Sequence, residues 1–186
     1  LAERLRPKTL NEYIGQKHLV GEGAILRQMI ENGNLSSFIL WGPPGVGKTT
    51  LARIIAHQLE RPFYTLSAVT SGVKEVREVI DKAKRFVAMN SGLFASSTSG
   101  TETNNRPSPI LFIDEIHRFS KSQQDSLLGA VEDGTITLIG ATTENPSFEV
   151  ITPLLSRCQV YVLKSLDKND LLELLHRALT EDAYIH

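Results

Sequence analysis

Ile39-Leu40-Trp41-Gly42-Pro43-Pro44-Gly45-Val46-Gly47-Lys48-Thr49-Thr50 sets out a buried strand, a glycine-rich turn and the first turn of a helix. Gly42, Gly47, Lys48 and Thr49 fit G-x-x-x-x-G-K-[ST], the phosphate-cradling P-loop. Glycines let the backbone bend until successive N–H groups point at one anion. A following helix adds its unpaired N-terminal N–H groups and the positive end of its dipole. In this pattern Lys48 reaches the β- and γ-phosphates and Thr49 offers its hydroxyl to Mg²⁺. The flanks fit: Ser37 to Trp41 is a compact apolar run, and Leu51 to Leu59 carries apolar residues at helical spacing.

The rest of the chain repeats strand and helix. Phe63 to Leu66 reads as a strand and Val73 to Ala88 as a helix. Ile110-Leu111-Phe112-Ile113 is a continuous apolar run ending in Asp114-Glu115, as expected of a strand buried on both faces. Ser120 with Gln123 forms a capping box for a helix to about Glu132, and Ile136 to Ala141 is the next strand. A short helix over Thr152 to Ser156, a strand over Gln159 to Val162 and a helix capped by Asp167 complete the alternation. The last helix carries Leu171, Leu172, Leu174, Leu175 and Leu179. This predicts an α/β fold, a doubly wound parallel sheet. In such sheets ligands bind at the carboxyl edge, where Asp114 and Glu115 stand. Asp114 is expected to hold Mg²⁺ opposite Thr49, and Glu115 to orient and deprotonate the attacking water. Thr142 to Pro146 either touches the γ-phosphate or makes the turn before the proline. Arg157 at a helix end could simply satisfy carbonyls there.

Composition limits the possibilities. The chain has 186 residues, 41% hydrophobic, with net charge -1 and a pI near 6.6, which excludes coating nucleic acid by bulk positive charge alone. The basic run Lys74, Arg77, Lys82, Lys84 and Arg85 reads as a solvated helix face or a DNA contact. One cysteine, Cys158, excludes an intrachain disulfide. No apolar run is long enough to span a membrane, no signal-peptide pattern opens the chain, and an excised intracellular domain is expected. Thr9 with Glu12 predicts a short capped helix ending at Gly15, and Gly23 to Asn32 an amphipathic one. Residues 90–109, small and polar, read as a flexible insertion.

Gly42 to Thr49 joined to Ile113-Asp114-Glu115 resembles the AAA+ ATPases, with a core at 1–165 and the start of a helical lid at 166–186. That resemblance implies a five-stranded parallel sheet flanked by helices, and ATP and Mg²⁺ as ligands. Leu5 to Gln16 is similar to the N-terminal box of clamp loaders and branch-migration motors, which packs near the adenine and makes Ile14 and Gly15 base-contact candidates. Nucleotide contacts are expected from Gly42, Pro43, Pro44, Gly45, Val46, Gly47, Lys48, Thr49, Thr50 and Asp114. More narrowly, Asp114 to Phe119, Lys121 to Asp125, Ile139 to Phe148 and Leu154 to Cys158 resemble the RarA/MgsA family, which includes the Werner-helicase-interacting proteins. That resemblance implies Thr143 as sensor 1 and Arg157 as an arginine finger acting in trans, beside Lys48 and Glu115 as catalytic residues. It further implies a DNA-dependent ATPase at stalled forks, gaps or single-strand/double-strand junctions, single-strand binding protein as a partner, and homo-oligomers formed through a C-terminal domain. The location would be cytoplasmic and nucleoid-associated in bacteria, nuclear in eukaryotes. The alternatives are a clamp-loader subunit, a Holliday-junction branch-migration motor, and an ATP-gated scaffold that recruits repair factors. Asp114-Glu115-Ile116-His117 also spells a DExH box, but the arginine motifs of a second helicase domain do not follow.

Overall fold

The computed structural model describes residues 3, 5–94 and 108–181. Five strands lie in one parallel sheet: β1 (Phe38–Trp41), β2 (Phe63–Ser67), β3 (Ile110–Asp114), β4 (Thr137–Thr142) and β5 (Gln159–Val162), in the order β2-β3-β4-β1-β5. The expected doubly wound, five-stranded α/β sheet is therefore present. Parallel neighbours require crossovers, and the helices supply them on both faces.

Alternation along the strands sorts the core into two clusters. Phe38, Leu40, Ile110, Phe112, Ile139 and Ala141 point to one face, and Ile39, Leu111, Ile113 and Leu138 to the other. The first face is covered by α2 (Ile25–Glu31) and α3 (Lys48–Gln58), through Leu26, Ile30, Leu51 and Ile55. The second is covered by α4 (Val73–Phe94) and α5 (Lys121–Glu132), through Val76, Ile80, Ala83 and Leu127. A strand with apolar residues on both sides can only be buried on both sides, which is why β3 reads as an unbroken apolar run. The connection leaving β1 crosses the first face, while those leaving β2 and β3 cross the second. The crevice forms at the carboxyl edge where the direction of winding reverses.

Several local expectations change. The segment after Thr9 is a series of turns and not a helix: the Glu12 N–H donates to Thr9 Oγ1 at 3.3 Å, but Glu12 Oε2 accepts from Lys8 N–H at 2.8 Å. The Thr9 side chain makes its half of the expected box, but the return bond goes to Lys8 and no helix follows directly. A four-residue helix, α1 (Lys17–Val20), follows Gly15 instead. Helix α4 runs to Phe94, past Ala88, so part of the expected insertion at 90–109 is helical. Ser108, at its far end, is buried and its Oγ lies 2.7 Å from Thr137 Oγ1; 95–107 lie outside the described residues. Two short helices, α6 (Pro146–Glu149) and α7 (Thr152–Leu155), link β4 to β5, and α8 (Lys168–Glu181) closes the described chain. The capping box at Ser120 and Gln123 is formed in both directions.

Candidate nucleotide site

The loop after β1 turns at Gly45 (φ 77°) and Gly47 (φ 95°) and enters α3 directly. Positive φ explains the glycine at each place. At Gly42 the limit is space, since a Cβ there would stand 2.8 Å from the Leu163 carbonyl oxygen. The loop opens on a cavity of about 860 Å³, within the size range of nucleotide pockets. Pro44, Gly45, Gly47, Lys48, Thr49 and Thr50 line one wall, and Asp114, Glu115, Thr142 and Thr143 another. Arg6, from the segment expected near the adenine, and Leu174 of α8, which was not anticipated, also line it. Gly42, Pro43 and Val46 shape the loop from behind and do not line the cavity.

Lys48 Nζ donates to the carbonyls of Gly42 at 2.6 Å and Pro43 at 2.9 Å. Burial lowers the pKa of its ammonium, and the nearby Asp114 carboxylate works against that shift. A cation held by neutral carbonyls at the mouth of a helix N-terminus is suited to meet an anion. The donor set facing it, the Thr49 hydroxyl and the Asp114 carboxylate, suits a Mg²⁺ ion that keeps waters and phosphate oxygens as its other ligands.

Glu115 follows β3 in the left-handed region, φ 52°. Such strain in a non-glycine residue persists only where the surroundings impose it. Its Oε2 lies 3.3 Å from Arg118 Nε. Next to it, His117 Nδ1 lies 2.9 Å from Thr142 Oγ1, which also accepts the Glu144 N–H at 3.0 Å. Asn145 Oδ1 accepts the Ser147 N–H at 3.0 Å and starts α6. The turn reading of the Thr142 to Pro146 cluster is the one seen here, through Thr142 and Asn145, while Thr143 stands exposed at the cavity wall.

The two base-contact candidates separate. Ile14 lines a smaller cavity of about 120 Å³, together with Tyr13, Val46, Leu166 and Leu174. Its wall includes Gly45, Gly47 and Thr50, so it adjoins the larger cavity. Gly15 does not line it. Its φ of 85° makes a turn, and a Cβ there would stand 2.7 Å from Leu166. Gly15 thus makes a close turn against Leu166 of the β5–α8 connection, beside Ile14. Tyr13 was not anticipated from sequence, although an aromatic beside a glycine turn is a signal that could have been followed.

Arg157 lies away from these cavities. It precedes β5, whose first residue, Gln159, donates its N–H to the Ser37 carbonyl at the amino edge of the sheet. The phosphate loop starts at the other end of β1, four residues on, about 13 Å along the strand. Arg157 Nη2 pairs with Glu132 Oε1 at 2.9 Å, both side chains being well exposed. It lines a separate polar groove with Arg61, Gly134 and Thr137. Cys158 beside it is a free thiol whose pKa burial pushes up to about 11.

Comparison with known proteins agrees with this geometry. Residues 38–166 match the family described as ATPase family associated with various cellular activities (AAA). Replication-associated recombination protein A of Escherichia coli strain K12 is 51% identical over 181 residues, which are 97% of this chain and 37% of that protein. ATPase WRNIP1 of Dictyostelium discoideum is 49% identical over 179 residues, 96% of this chain and 19% of that protein. Among solved structures, the Thermotoga maritima RuvB Holliday junction branch migration motor superposes with a TM-score of 0.67 at 32% identity, over 95% of this chain and 54% of that one. The chain thus spans little more than a third of the bacterial relative it matches. The chain belongs to the ATPases associated with various cellular activities, and within that family about half of its positions are identical to those of replication-associated recombination protein A.

Proposed function

We propose that this chain is the ATP-hydrolysing domain of a DNA-dependent ATPase of replication, recombination and repair. Its sites of action are stalled forks, gaps or single-strand/double-strand junctions, and ATP is hydrolysed between subunits. The observation that carries the reading is the division of one catalytic set between two edges of the sheet. Lys48, Thr49, Asp114, Glu115 and Thr143 share a cavity, while Arg157 lies at the opposite edge and is exposed. An arginine so placed serves the cavity of a neighbouring copy.

In this reading the loop N–H groups and Lys48 hold the triphosphate, and Ile14 takes the base side. Mg²⁺, held by Thr49 and Asp114, would neutralise charge on the phosphate oxygens. Glu115 orients the attacking water and accepts its proton. Thr143 contacts the γ-phosphate or that water. Arg157 of the adjacent subunit offsets charge on the transferred group. Assembly would use sequence that the longer relatives carry, and single-strand binding protein is a candidate partner. The name of the Escherichia coli relative supports the assignment to replication and recombination, and that of the Dictyostelium relative supports ATP hydrolysis. Among the described residues no helix is long and apolar enough to cross a membrane, and a nucleoid or nuclear location follows from the DNA reading.

The test is ATP turnover by the intact protein with and without gapped or forked DNA. A rise of several-fold with DNA is expected. Turnover indifferent to every DNA tested would remove the DNA dependence and favour an ATP-gated scaffold.

A further inference from the structure

A phosphate cradle needs peptide planes turned so that N–H groups face the anion, and the matching carbonyls then face away and need partners. Here two such carbonyls meet one phenol. Tyr13 Oη lies 3.1 Å from Val46 O and 3.1 Å from Gly47 O, and its single proton is shared between them. Gly47 O also receives the Leu51 N–H at 2.9 Å, the first bond of α3. The contact is close: a Cβ at position 47 would stand 2.7 Å from the phenol oxygen. Burial raises the Tyr13 pKa above the ordinary tyrosine value, so the hydroxyl stays a donor.

The same turn grips the connection between β5 and α8. Gln16 is buried and left-handed, φ 54°. Its Nε2 donates to Lys164 O at 2.6 Å, and its Oε1 accepts the Lys164 N–H at 2.9 Å. Arg177 of α8 donates to the Glu12 carbonyl. Reciprocal bonds of this kind offset the cost of the strained backbone.

We propose that Tyr13 is a positioning residue for the nucleotide phosphates. Its hydroxyl holds the Val46 and Gly47 carbonyls outward so that the loop N–H groups face the cavity, and through Gln16 the same turn ties the loop to the β5–α8 connection. The proposal rests on reading Gly42 to Thr50 as the phosphate site. Tyr13→Phe keeps the ring and its packing and removes only the oxygen. In the intact protein it is expected to weaken binding of a fluorescent ADP analogue about tenfold, as loss of one hydrogen bond at a binding loop does. The KM for ATP should rise by a similar factor, with kcat within about twofold and the melting temperature without nucleotide lowered by no more than a few degrees. At saturating ADP, slowed amide exchange over 163–167 is expected in the unaltered protein and lost in the variant. Unchanged binding by Tyr13→Phe, alongside loss of binding by Lys48→Ala, overturns the proposal alone. Tight binding by Lys48→Ala overturns the phosphate-site reading beneath it. A parallel fall in kcat and melting temperature would make Tyr13 merely structural, and equal exchange in both proteins would remove the tie to α8.

Discussion

At the carboxyl edge of the sheet, chemistry is held by backbone. The loop carbonyls of Gly42 and Pro43 bind Lys48, those of Val46 and Gly47 bind Tyr13, and Glu115 is fixed in a strained conformation after a strand buried from Ile110 to Ile113. At the amino edge, Arg157 is held, among the described residues, by an exposed ion pair to Glu132. The first edge can recognise a phosphate because its donors are ordered before the ligand arrives, so little entropy is lost on binding. The second presents a long charged arm on a surface pair of small energetic value, free to exchange one anionic partner for another. The contrast is between an ordered, backbone-held site and an exposed arm, the arrangement that the proposal of a trans arginine uses.

Three variants would break or sharpen that division. The largest effect is expected for Arg157→Ala in the assembled protein: nucleotide binding intact and turnover reduced about 10³-fold or more, by analogy with trans arginines elsewhere. Steady-state ATPase assays checked by ADP-analogue binding measure it. Full turnover would show that the amino edge takes no part. Next comes Glu115→Gln, which should keep binding and lose turnover by about 10²-fold or more. An equimolar mixture of the two variants should recover part of the activity, because some interfaces then pair an intact Glu115 with an intact Arg157. No recovery in a mixture proven to co-assemble would place the arginine in its own subunit's site. The smallest effect is expected for Glu132→Ala. Its exposed ion pair contributes at most about 1 kcal/mol, so the melting temperature should barely move and turnover should change less than about threefold. A loss as large as that of Arg157→Ala would mean that Glu132 has a role beyond holding the finger.

Much of the carboxyl edge was legible because its residues are contiguous. The glycine spacing of Gly42 to Gly47 encodes a backbone shape, and an apolar run ending in Asp114-Glu115 encodes a buried strand with acids at its exit. Patterning also gave helices α3, α5 and α8, though the length of α4 was underestimated because Asn90-Ser91-Gly92 near its end read as a break. The turn at Thr9 to Gly15 misled: the side-chain pattern of a helix start was present, but Gly15 and Gln16 adopt left-handed backbone and redirect the chain into α1. The two short helices between β4 and β5 differ too, since only α7 was anticipated. In α6 the Thr142 to Pro146 cluster reads as a turn and hides the single helical turn that follows, whereas α7 carries adjacent leucines after Pro153. The leucines of α8 promise a buried face, yet Leu171, Leu172, Leu174, Leu175 and Leu179 are exposed among the described residues, and Leu174 and Leu175 line the large cavity.

What the sequence determined by itself is local: the phosphate loop, the strand that ends in two acids, and the alternation that makes the sheet parallel. These depend on neighbours a few residues apart, where backbone preference and hydrophobic period act. The tertiary structure decided which distant segments meet. It placed β4 between β1 and β3, so that Thr143 stands between the phosphate loop and the acids. It set Tyr13 beneath a loop more than thirty residues later in the chain, and it sent Arg157 to the far edge. No local pattern specifies those contacts, because they follow from strand order and from which crossover covers which face.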